Sequence, residues 1–261
     1  MSRLLIFGLG YTGSRIAEAM RARGWQVDAT GSAGNITFDD GNEVSAVLAR
    51  TSHVLSSVPP SDGQDPVLES YGSTLHSKTL CYLSSTGVYG DAKGAWVDES
   101  SPTGGGRRTA RAECDARWME LGARVFRLPG IYGPDRSALD RVAQDKGHRI
   151  DLPGQVFSRI HVDDIVAGIV DAIERHAPAG AYNLSDDLPT SQNVVIEEAA
   201  RLIGVSPPPL QTIEQAELSP MARGFYAENR RVANGKAKRL LHWKPRYPTY
   251  REGLAAIMAL A

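Results

Sequence analysis

The chain is poor in cysteine and in aromatic residues and carries almost no net charge. Cys81 and Cys114 stand alone among 261 residues, in no CxxC or ligand-like spacing. They offer neither a disulfide framework nor a zinc site, and such usage fits a reducing, cytoplasmic compartment. With 29 Lys and Arg against 30 Asp and Glu, the formal net charge is -1. No global field draws the chain to nucleic acid or to an anionic membrane, and only a local anion site remains open. No apolar run approaches a membrane span, and LLIFGLG at 4–10 is short and leads straight into a glycine pattern. The 6 histidines show no metal spacing, and there is no internal repeat.

What is present is alternation. Leu4 to Phe7 form a continuous apolar run, as expected of a strand buried on both faces of a parallel sheet. A helix follows, with Ile16 and Met20 one turn apart, Arg21 and Arg23 near its end and Gly24 to stop it. WQVDAT, HVLSSV, TLCYLSS and ARVFRLP read as further strands, with a helix from about Val67 to Ser77. Another helix runs from about Arg107 to Leu121, with Ala110, Cys114, Trp118 and Leu121 as its apolar stripe. HVDDIVAGIVDAIERH is an amphipathic helix and AYNLS a strand. A helix from about Gln192 to Leu202 is headed by Thr190 or Ser191, and the last opens on Thr249 to Glu252, a capping-box spacing. This is the traffic of an α/β fold.

Gly8, Gly10 and Gly13 form GxGxxG between the first strand and its helix. The first glycine permits a tight turn, the second lets a pyrophosphate approach the backbone, and the third lets the helix pack closely. A dinucleotide cofactor is therefore expected on Gly8, Gly10, Tyr11, Thr12 and Gly13, with Ser32 beyond the second strand. The acidic residue that would grip a ribose 2'-hydroxyl is missing. Asp28 comes about three residues too early, and DATGSAGN offers Gly31 and Ser32 instead. The cofactor is read as NAD(P), leaning slightly to NADP.

Further blocks extend the pattern: YLSSTGVYGD (82–91), FRLPGIYGPDR (126–136), RIHVDDIVAGIVDAI (159–173), AYNLSDDLPTS (181–191) and LHWKPRYPTYREGL (241–254). In order and spacing the chain resembles the extended short-chain dehydrogenase/reductase family, the NAD-dependent epimerases and dehydratases. The resemblance implies a doubly wound parallel Rossmann-type sheet and a smaller C-terminal substrate lobe. The cofactor core would comprise about 1–130 and 155–178, and the lobe about 131–154 and 179–261. It also implies that Ser85, with Thr86 beside it, polarises a substrate oxygen. Turn formation is the other role open to such hydroxyls.

The family's catalytic tyrosine and lysine fall on Gly105 and Thr109, which can neither exchange a proton nor depress a neighbour's pKa. The resemblance further places Arg127, Arg136 and Arg159 near the substrate, His161, Asp163 and Asp164 at a helix start, and Tyr89 and Tyr132 in packing turns. It makes a homodimer through the Arg107 to Leu121 helix an expectation. Just after Gly104 to Gly106, Arg107, Arg108 and Arg111 head that helix, where its macrodipole disfavours cations. Either they form a solvated face or they meet a phosphate or carboxylate. Three functions stand side by side: an oxidoreductase or epimerase of a small polar or nucleotide-linked substrate with a non-standard acid/base, a catalytically inactive NAD(P)-binding sensor or regulatory interaction protein, and an interaction scaffold with a vestigial fingerprint.

Overall fold

The computed structural model describes residues 2–106 and 109–260. The first half runs β1 (Arg3–Phe7), α1 (Tyr11–Ala22), β2 (Gln26–Ala29), α2 (Gly41–Arg50), β3 (His53–Ser56), α3 (Pro66–Tyr71), β4 (Thr79–Ser85), β5 (Trp96–Val97), α4 (Thr109–Glu120) and β6 (Arg124–Leu128). Then come β7 (Gly130–Tyr132), α5 (Ala138–Ala143), β8 (Arg149–Ile150), β9 (Arg159–His161), α6 (Val162–Glu174) and β10 (Gly180–Asn183). The chain ends with α7 (Gln192–Ile203), β11 (Leu210–Gln211), α8 (Pro220–Tyr226), β12 (Arg231–Val232), α9 (Gly235–Leu240) and α10 (Tyr250–Met258).

One six-stranded parallel sheet carries the order β10-β6-β4-β3-β1-β2. Leu4 and Ile6 of β1 pack into a cluster with Ile16 and Met20 of α1 and Ile165 and Ile169 of α6. Leu5 and Phe7 face the other way, into a cluster with Val44, Val47, Val67 and Trp118 of α2, α3 and α4. The unbroken apolar run of β1 thus reflects helices on both faces, the doubly wound arrangement. Order reverses across β1, which has β2 on one side and β3 on the other, and the carboxyl ends of such strands open a crevice.

A separate apolar cluster joins α5, α7 and α10 through Leu139, Val195, Ile196, Ala199 and Leu254. Two-stranded pairs tie this part to the sheet's end: β7 with β9, and β12 with β5. Local capping explains the helix limits. Ser191, not Thr190, caps α7 by accepting from the Asn193 amide at 3.1 Å, and Gly204 closes it at φ 76°. Thr249 and Glu252 complete the capping box of α10. The single helix expected over 67–77 stops at Tyr71 and continues as a 3-10 turn over Gly72–Thr74, a Gly-Ser-Thr run of weak helix formers.

Candidate functional site

The GxGxxG turn has the geometry a diphosphate needs. Gly8 takes φ +90°, and a Cβ there would come 2.7 Å from the Ser57 hydroxyl. A Cβ on Gly13 would come 2.6 Å from the Gly8 carbonyl oxygen, so that glycine sets the approach of α1 to β1. At Gly10 an added Cβ would meet nothing within 4 Å. The space above it is open, and Gly10 as N-cap brings no side chain to the first amides of α1. Amides left without a cap at the positive end of a 12-residue helix fit an anionic ligand.

Beyond β2, Ser32, Asn35, Thr37 and Phe38 border a hollow of about 510 Å³ that has no ionisable group in its lining. Asp28 is occupied elsewhere: one carboxylate oxygen accepts from Asn35 Nδ2 at 3.0 Å, and the other lies 3.8 Å from Arg50. The acid missing from the sequence pattern is thus missing from the hollow too.

A larger cleft of about 1220 Å³ runs from Gly10, Tyr11, Thr12 and Gly13 past Ser85 and Thr86 to the α5–α7–α10 region. Ser85 accepts from the Gly87 amide at 3.1 Å and caps the 3-10 turn Thr86–Tyr89, so it forms the turn and also borders the cleft. Gly105 and Thr109 do not border it. The glycine run serves close backbone contact instead: Gly104 N donates to Val88 O at 2.9 Å, and a Cβ on Gly106 would sit 2.6 Å from Gly90 Cα. Of the three arginines that follow, Arg107 and Arg108 lie outside the described residues. Arg111 borders the cleft, its Nη1 donating to the Tyr82 hydroxyl at 2.8 Å.

Two of the three arginines expected near substrate line this cleft. Arg136 is exposed and stands over the Tyr11 ring. Arg159 is 6% exposed, and one guanidinium nitrogen donates to Thr190 O at 3.2 Å. Burial lowers its pKa, an effect offset in part by Asp186, whose own carboxyl burial pushes up to about 7.

Arg127, the third, stands apart from the lining. It is 2% exposed and away from the cleft, because its position in a strand covered on both sides points it under α4. There it bonds Asp115 twice, at 2.7 and 3.1 Å, and donates to the Tyr89 hydroxyl at 3.0 Å. Ser84 donates to the same carboxylate at 2.6 Å, and Tyr89 donates to Asn183 Oδ1 at 2.8 Å. Burial opposes the charge on Arg127, but the Asp115 bonds outweigh it and raise the pKa. This buried network links β4, α4, β6 and β10 and occupies the Arg127 guanidinium.

His161 caps α6 by accepting the Asp163 amide on Nδ1 at 3.2 Å. Asp164 does something else: its oxygens accept the Arg246 and Tyr247 amides at 2.6 and 3.1 Å, tying down the C-terminal segment. Burial, opposed by Asp163 and aided by Arg15 and Arg246, holds His161 below its ordinary 6.5. A histidine so depressed contributes stability that is whole above the unfolded value and is lost as pH falls toward the native one. Between about pH 7.5 and about pH 5 the wild type should therefore lose more unfolding free energy than His161→Asn. Equal losses in urea titrations at the two pH values would remove His161 from the pH dependence.

A further part of the cleft lining comes from residues 157 and 226–230. Phe157 and Tyr226 meet edge to face at 5.4 Å, and Glu228 with Arg230, 2.9 Å apart, borders the cleft where Arg230 also donates to Gly90 O. In the sequence, RGFYAENRRV at 223–232 is a basic, aromatic stretch that reads equally as a ligand-facing patch or a solvated loop. Among the described residues no group of His, Cys, Asp and Glu could hold a metal, and no helix is long and apolar enough to cross a membrane.

No family model matches the chain. Protein YeeZ of Escherichia coli is 26% identical over 252 residues, covering 80% of this chain and 86% of that one. The 3-diazoavenalumate denitrifying reductase of a Streptomyces species is 31% identical over 174 residues, 61% and 55% of the two chains. Among solved structures, a functionally unknown conserved protein from Silicibacter pomeroyi aligns with TM-score 0.86 and 37% identity over 99% of both chains. The fold is also that of dTDP-glucose 4,6-dehydratase from Bacillus anthracis in complex with NAD, at TM-score 0.78 and 16% identity over 99% and 96%. A human epimerase family protein with NADPH shares it at TM-score 0.76 and 17% identity over 99% and 100%.

Proposed function

The chain belongs to one family with the Silicibacter pomeroyi protein, and from its site we propose that it is an NAD(P)-dependent oxidoreductase or epimerase acting on a small anionic substrate. One observation carries the reading: the uncapped start of α1 and the hydroxyls of Ser85 and Thr86 open into the same cleft. The NAD and NADPH of the two fold neighbours and the reductase activity in the Streptomyces relative's name support it. Amides of Tyr11, Thr12 and Gly13 would hold the cofactor's diphosphate, and the hollow at Ser32 its adenosine. With no carboxylate in that hollow, a 2'-phosphate meets no repulsion, which favours NADP. Bound there, the cofactor supplies hydride transfer.

The chain's residues do the rest. Ser85, its oxygen held by the Gly87 amide, is placed to hydrogen-bond the substrate's reacting oxygen. Arg159, on the core side of the boundary, supplies a cation for the substrate's anionic group in the cleft, whose other residues would come from a substrate lobe of about 131–154 and 179–261. Because Gly105 and Thr109 provide neither phenol nor ammonium, the proton must move through another group. That same pair of residues favours the second reading, a sensor that binds NAD(P) without turnover. A homodimer through α4 would be polar, since Glu113, Arg117 and Glu120 face outward and Arg117 already pairs with Glu69 at 2.7 Å.

Calorimetry with NADH and NADPH should show binding, with NADPH the tighter. Turnover on a panel of small carboxylates and nucleotide sugars should then fall about a hundredfold in Ser85→Ala at unchanged cofactor affinity. Binding without turnover on any substrate leaves the sensor, and absence of binding sinks both readings.

A further inference from the structure

Arg136, grouped by sequence with the substrate, sits against the cofactor's turn. Tyr11, the residue after Gly10, leans from the start of α1 onto the segment 133–136 and donates its hydroxyl to Pro134 O at 2.9 Å. Gly133 makes room for it: a Cβ there would come 2.5 Å from the Tyr11 oxygen and 2.7 Å from Val162 Cγ1. The Arg15 guanidinium lies 4.1 Å from the centre of the Tyr11 ring and that of Arg136 5.5 Å from it. Arg15 also donates to the Tyr11 carbonyl at 3.1 Å.

Asp135 and Asp163 act on Tyr11 from nearby, yet among the described residues neither arginine forms an ion pair with them. Two guanidinium groups therefore converge on the first residue of a helix whose positive end already disfavours cations. An anion between the helix start and the arginines reverses the sign of that arrangement.

We propose that Arg136 belongs to the dinucleotide's diphosphate rather than to the substrate, and that Tyr11 is the positioning residue that docks its turn over the cofactor. The proposal rests on the NAD(P) reading and adds to it a contact delivered from outside the glycine turn. A planar guanidinium held against an aromatic ring keeps its N–H groups aimed, which a lysine would not reproduce.

The test is calorimetry on the full chain with two probes that share the diphosphate, NADPH and ADP-ribose. Arg136→Ala should weaken both about tenfold, as loss of one charge-assisted contact, and should barely move the melting temperature because the side chain is exposed. Arg136→Lys should recover part of the loss. Tyr11→Phe should cost about threefold, and Arg136→Ala in that background should cost less than in the wild type, the coupling expected of a positioning residue and its client. If the wild type binds, Gly10→Val does not, and Arg136→Ala stays within about twofold for both probes, the proposal is overturned while the cofactor reading stands. Additive losses in the double variant would overturn the role of Tyr11. A wild type silent toward both probes fails at the cofactor reading itself.

Discussion

Gly10→Val should weaken NADH and NADPH binding by about a hundredfold or more while the chain stays folded, since the isopropyl group occupies the approach to the helix amides. The structure separates the two effects. Gly10 has φ -93°, open to any residue, and a Cβ there meets no protein atom within 4 Å. The remaining cost is the exchange of a good N-cap for a poor one, about 1 kcal/mol, or a melting shift of roughly 2–4 °C. Gly8 is the contrast. Its φ of +90° and its contact with Ser57 make a side chain there a defect of the fold, so a loss of binding in Gly8→Ala would not locate the cofactor. Unchanged affinity in a folded Gly10→Val protein would remove the cofactor from this turn.

The second large effect is on stability. Arg127→Ala should cost about 3–5 kcal/mol, because it leaves the Asp115 carboxylate, 1% exposed, without its cation. For a chain of this size that is a melting temperature lower by roughly 6–20 °C. The effect should be non-additive: Asp115→Asn in the Arg127→Ala background should cost little more, since the penalty of an unpaired buried charge has already been incurred. Cofactor affinity per folded molecule should stay within about twofold of the wild type. A stable Arg127→Ala protein with impaired ligand binding would return Arg127 to the site.

That arginine also marks the limit of reading residues along the chain. β6 reads RVFRL, and the second of its two arginines, Arg127, lies inside a strand covered on both faces, where a cation needs a buried partner. The partner, Asp115, lies on α4, 12 residues back. Nothing in the spacing says that α4 lies against β6 at that level. Arg136 shows the same limit, since its neighbour Tyr11 is 125 residues away and only the docking of the 133–136 turn joins them. Phe157 likewise meets Tyr226, and Arg230 meets Gly90, through long-range pairings that local patterning does not encode.

The glycine turn was legible because its chemistry is local: three glycines at fixed offsets, between a doubly buried strand and a helix, satisfy φ, close packing and phosphate approach within six residues. The sheet was legible for a related reason, since period and run length report burial strand by strand. The sequence by itself therefore determined the α/β alternation, the glycine turn, the absence of an acid just past the end of β2 and the absence of phenol and ammonium at residues 105 and 109. Tertiary structure alone decided which arginines line the cleft, what neutralises the one that does not, and that Phe157 and Tyr226 line it together. Side-chain partners across more than a hundred residues depend on how helices and turns dock, and docking is set by the summed packing of surfaces rather than by any one segment.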